Sequence, residues 1–145
     1  MKPFQYQPYL DSSFTPTWRK ILNSTKSSGR RAASMTGSRK GVMPIHNITY
    51  RDIMAQYEKQ QGLCYWSGVP LRLENQEIFY HPLALSVDRI LNDKGYIANN
   101  IVITARLINL GKNQYPSEGF PAVMREFKEG FTGYIESRKW WQFWK

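Results

Sequence analysis

Asp88 and Asn109 are the side chains in this sequence whose types and spacing suit metal-assisted phosphate chemistry. They bracket the stretch Asp88-Arg89-Ile90-Leu91-Asn92-Asp93-Lys94-Gly95-Tyr96, then Asn99-Asn100-Ile101-Val102, then Asn109-Leu110-Gly111-Lys112. Its pattern reads as strand end, loop, strand, helix. A carboxylate leaves the first strand and a carboxamide returns from the helix. Both offer oxygen, the donor Mg²⁺ (or Mn²⁺) prefers, and water and phosphate complete such a set. A metal held there would stabilise charge on a phosphate and on its leaving oxygen. Arg89 follows Asp88. Its guanidinium stays protonated and cannot serve as a general base, but its planar fork suits a phosphate.

The elements that must position these residues follow from periodicity. Pro16 precedes Trp18, Ile21 and Leu22 at helical spacing, which predicts a short helix over 16–23. Residues 24–42 are rich in Ser, Gly and basic side chains, and their composition predicts no order. Thr49 with Asp52 three residues on reads as a capping box, with Ile53, Met54 and Tyr57 on one face and Gly62 as the stop. Cys64–Trp66 and Leu71–Leu73 read as short strands around a turn at 67–70. Residues 83–90 read as a strand, 92–95 as a loop with Gly95 at positive φ, 101–103 as a strand and 104–112 as a helix. A long helix is expected over about 118–130, broken by Gly130 and Gly133. The fold class is α+β.

Charge points to a polyanion. The chain has 145 residues, with 20 Lys+Arg against 11 Asp+Glu for a net +9. Residues 1–45 hold eight of the basic groups and one acid. Two readings stand: a solvated basic surface, or an arm (1–45) that contacts nucleic acid through Lys26, Arg30, Arg31, Arg39 and Lys40, grafted on a nearly neutral body (46–145). No apolar run approaches the ~18 residues a bilayer span needs, and no apolar leader follows Met1. The single Cys64 excludes an intramolecular disulfide framework and a multi-cysteine structural zinc site. The expectation is a cytoplasmic chain that meets DNA and no membrane. The aromatic end, Trp140-Trp141-Gln142-Phe143-Trp144, suits covering the core, stacking on bases, or a partner interface.

The stretch from Asp88 to Lys112, with its Ser-Val-Asp-Arg-Ile, Gly-Tyr and Asn-Asn-Ile-Val segments, resembles the ββα-metal motif of HNH (His-Me finger) endonucleases, in a branch common among phage-borne proteins. Gln60–Leu71 resembles the lead-in of such domains, and the likeness spans roughly residues 55–115. It implies a small ββα core with flanking helices, a flexible basic N-terminal arm and a C-terminal helical extension. It implies metal ligation by Asp88 and Asn109, a loop braced by Asn100, and phosphate contacts from Arg89 and Lys112. The implied activity is metal-dependent hydrolysis of DNA phosphodiesters. Arg89 stands where most of these enzymes carry the histidine that activates water. Three routes remain open: a second histidine, a hydroxide on the metal, or a scaffold that binds DNA without cutting it. His46 and His81 are the histidines available. His81 lies seven residues before Asp88, ~23 Å away along an extended chain, so it needs a fold-back at Pro82 to take part. The bland readings are a surface Asp–Arg pair and asparagines that merely serve turns.

Overall fold

A computed structural model of the chain describes residues 12–34, 45–113 and 115–138. In chain order its elements are α1 (Thr15–Ser34), β1 (His46–Asn47), α2 (Tyr50–Lys59), β2 (Leu85–Arg89), β3 (Tyr96–Ile97), β4 (Ile101–Ala105), α3 (Arg106–Lys112) and α4 (Phe120–Arg138). Short 3₁₀ turns lie at Ser12–Phe14, Leu73–Gln76 and Ala98–Asn100. β2 and β4 pair antiparallel with Asp88 opposite Val102, and the two-residue β1 and β3 pair parallel. The protein is a mixed α+β fold.

The β-branched run Ile101-Val102-Ile103 makes β4 the centre. All five of its residues are buried, as expected of a strand covered on both faces. Trp18 and Ile21 of α1, Ile53 and Tyr57 of α2, and Leu85 and Val87 of β2 join β4 in one hydrophobic core. A composition break near residue 45 therefore does not separate two cores, because α1 packs on the same interior as residues 46–105.

Three local expectations need correcting. α1 runs to Ser34, well into the segment expected to lack order. The hydroxyls of Ser24, Thr25, Ser27 and Ser28 donate back to the carbonyls of Ile21, Leu22, Asn23 and Ser24. A Ser/Thr-rich helix satisfies its hydroxyls in this way, and Trp18, Ile21 and Thr25 give it a buried face. The expected strands at 64–66 and 71–73 are instead turns and loop with one bridge, Leu63 to Pro70. Part of the β4 edge is taken by a side chain: Gln60 accepts from Ile103 N–H at 2.8 Å and donates to Ile103 O at 2.7 Å. Finally, α4 passes through Gly130 and Gly133 to Arg138. Each glycine weakens a helix by about 1 kcal/mol without forbidding it.

The capping box is present. Asp52 N–H donates to Thr49 Oγ1 at 3.3 Å, and the Thr49 N–H and hydroxyl each donate to Asp52 Oδ2 at 2.7 Å, which holds the Asp52 carboxyl below its usual range. α2 ends one residue earlier than the expected stop at Gly62: Gln61, just after the cap residue Gln60, takes the left-handed conformation (φ +52), with Gln61 N–H donating to Glu58 O at 2.8 Å and Gly62 N–H to Tyr57 O at 3.1 Å. Among the described residues no helix is long and apolar enough to cross a membrane.

Candidate functional site at Asp88

β2 alternates, so Ser86 and Asp88 share one face and Val87 and Arg89 the other. The first face meets α3. Asn109 Nδ2 donates to Ser86 Oγ at 2.7 Å and to Val87 O at 3.2 Å. One helical turn on, Lys112 Nζ lies 3.2 Å from Asp88 Oδ2. Two residues apart on the strand match three apart on the helix, giving two polar rungs between β2 and α3.

The Asp88 rung is buried. Asp88 is 5% exposed and Lys112 0%. The Trp66 indole N–H donates to Asp88 Oδ2 at 2.9 Å, and the Arg89 backbone N–H donates to Oδ1 at 2.8 Å. Lys112 Nζ also stands 5.4 Å from the centre of the Trp66 ring, within cation–π range. Phe120, at the start of α4, packs edge-on against Trp66 at 5.3 Å. Lys112 Nζ has no hydrogen-bond partner of good geometry, so its hold on Asp88 is chiefly charge on charge. Such a pair stabilises little beyond an apolar replacement, because two ions have been taken from water.

The remaining expected site residues are placed as follows. Arg89 projects from the opposite face of β2, where Nη1 donates to Asn92 O at 3.1 Å and the guanidinium lies 5.0 Å from the Tyr96 ring. It holds the loop after β2 and is not directed to Asp88. Burial pushes the Tyr96 hydroxyl above its usual range, although Arg89 pulls the other way. Asn100 ties that same loop: Oδ1 accepts from Leu91 N–H at 2.9 Å, and Nδ2 donates to Leu91 O and Gly95 O, each at 2.8 Å. His81 accepts the Leu83 N–H at Nδ1, 3.1 Å, in the turn before β2, and makes no hydrogen bond or ion pair with Asp88. His46 Nε2 is 2.7 Å from Thr25 Oγ1. Lys26 is exposed on α1, and Arg30 and Arg31 lie on the same helix. Arg39, Lys40 and the aromatic C-terminus lie outside the described residues. Lys112 needs a correction: expected near a phosphate, it is buried and bound to Asp88. Sequence reasoning missed Trp66, whose signal was an indole N–H in a turn-rich segment that had to find an acceptor.

With Lys112 packed on Asp88, the residues do not fit the metal that the HNH resemblance implies. Asp88 Oδ2 is already met by an ammonium and an indole N–H. Asn109 Nδ2 donates to Ser86 Oγ and Val87 O, which fixes the carboxamide without using its Oδ1. Among the described residues no three His, Cys, Asp or Glu side chains come together. Cys64, buried against Thr104 at 3.2 Å, stands apart as a small core residue. No family model, curated protein or solved structure matches the chain.

Proposed function

We propose that this chain binds DNA through its phosphate backbone, on a scaffold of the HNH (His-Me finger) type that no longer hydrolyses the phosphodiester. The observation that carries this reading is the state of Asp88: buried, paired with Lys112 and, among the described residues, without a base bonded to it. Arg89 faces the loop and His81 is used in a turn, so neither supplies a proton acceptor at the carboxylate. The β2–β4 hairpin followed by α3, with Asn100 bracing the intervening loop, supports the scaffold. The net +9 supports a nucleic-acid partner.

A second reading is favoured by one observation. Asn109 on α3 reaches β2 one residue from Asp88, at Val87 O. That nearness of carboxylate and carboxamide suits a divalent-metal endonuclease that nicks or cuts DNA once Lys112 has left Asp88. Supercoiled plasmid separates the two readings. The first expects retardation in EDTA that weakens with salt, and no relaxed or linear product in Mg²⁺ or Mn²⁺. Metal-dependent nicking that Asp88→Ala abolishes establishes the second. Absence of DNA retardation at low salt removes both.

A further inference from the structure

We infer that the Lys112 ammonium is the resident cation of the Asp88 pocket, standing where a divalent metal would meet the carboxylate and keeping such metals out. This deepens the functional reading above and depends on it only for the identity of the scaffold.

Asp88 does not lack oxygen for a metal. A carboxylate accepts about four hydrogen bonds, and Oδ1 carries one, from the Arg89 N–H. Charge is the obstacle. Lys112 Nζ lies 3.2 Å from Oδ2, is sealed from solvent, and has no well-aligned hydrogen-bond acceptor elsewhere. A dication binding Asp88 would stand within a few ångströms of that ammonium, in surroundings where charges are poorly screened. The Trp66 ring beside Nζ and Phe120 packed on Trp66 hold the cation in an aromatic wall. Lys112 comes from the same face of α3 as Asn109, one turn on, so it enters the pocket from the element that carries the carboxamide. Asp88 would therefore be neutralised by the chain itself, at every metal concentration.

Removing the lysine charge should reopen the pocket. Lys112→Met keeps the length of the side chain and leaves Asp88 as a buried carboxylate in need of a cation. Full-length protein without DNA is titrated with Mn²⁺, followed by tryptophan quenching and by calorimetry. Lys112→Met should take up one Mn²⁺ per chain at least ~100-fold more tightly than wild type, from removal of one nearby positive charge. The tight site should vanish in Asp88→Asn/Lys112→Met, which buries no charge. Equal Mn²⁺ affinity in wild type and Lys112→Met overturns the inference. If Lys112→Met folds only when Mn²⁺ is added, the metal has replaced the lysine and the inference stands. If it stays unfolded, wild type is compared with the double variant. Affinities that match support exclusion by Lys112, and a wild type that binds at least ~10-fold tighter through Asp88 overturns it. No DNA is present in these titrations, so a failure of DNA binding in the plasmid assay counts against the functional reading alone.

Discussion

Asp88 and Lys112 depend on each other, because each is a buried charge with the other as its counter-ion. Asp88→Asn should destabilise the fold by about 3–5 kcal/mol, since it strands an ammonium in the interior, and Lys112→Met should do the same to the carboxylate. The double variant should recover most of the loss. Urea unfolding of all four proteins measures the coupling, and a double variant as unstable as the sum of its parts would show that the two charges do not interact. His46 sets a separate pH dependence. Thr25 donates its hydroxyl proton to Leu22 O, so its oxygen accepts from His46 Nε2–H. Desolvation, with a smaller push from Lys26, lowers the His46 pKa below 6.5 although its own backbone pulls it up. The unfolded chain then binds more protons than the folded one between the lowered folded value and 6.5. The His46 contribution is complete above that window and is lost as pH falls through the folded pKa. Thermal unfolding from pH 7 to 5 should fall less steeply in His46→Gln than in wild type.

Among the elements, the loop between β2 and β4 depends, besides Arg89, on one carboxamide and one glycine. Asn100 is 3% exposed and makes three hydrogen bonds to the backbone of Leu91 and Gly95. Asn100→Ala should lower stability by about 2–4 kcal/mol, as several backbone groups lose their partners together. Gly95 has φ +73, and a Cβ there would collide with the Ile45 carbonyl and lie 2.8 Å from Ile45 N. Gly95→Ala should therefore break the Tyr96 N–H bond to Ile45 O and with it the β1–β3 pairing. Amide exchange at Tyr96 checks this: it should speed up in both variants, while exchange in α2 is altered only as far as global stability falls. The Asn100 position was legible as a loop brace through the HNH resemblance, and Gly95 through its turn sequence. Its collision with Ile45 was not, because that neighbour lies fifty residues away along the chain.

For the whole molecule, charge and fold make different demands. If Lys26, Arg30, Arg31, Arg39 and Lys40 all meet phosphates, replacing the five with Gln should flatten log K against log[salt] by roughly 4–5 units, about 0.9 per neutralised phosphate. Fluorescence anisotropy on duplex DNA measures that slope, and an unchanged slope places the DNA contacts elsewhere. Substitution is preferable to deletion, since α1 carries Thr25 and Ile21 into the interior. Local periodicity and turn chemistry were enough for the α+β class, the capping box at Thr49, the hairpin strands and the helix after them, but not for the boundary, since Thr104 and Ala105, expected in the helix, complete β4 opposite Ser86 and Leu85. The sequence by itself did not determine the extent of α1, where the buried face of Trp18, Ile21 and Thr25 offsets a composition poor for a helix. Nor could it determine what Asp88 touches. Residues adjacent in a strand point to opposite faces, so Arg89 left the site that its sequence position suggested. Lys112 and Trp66, 24 and 22 residues away, reached the carboxylate only through the packing of α3 and the loop after α2. Local pattern fixes which residues share a face, and only tertiary packing decides which charge meets which.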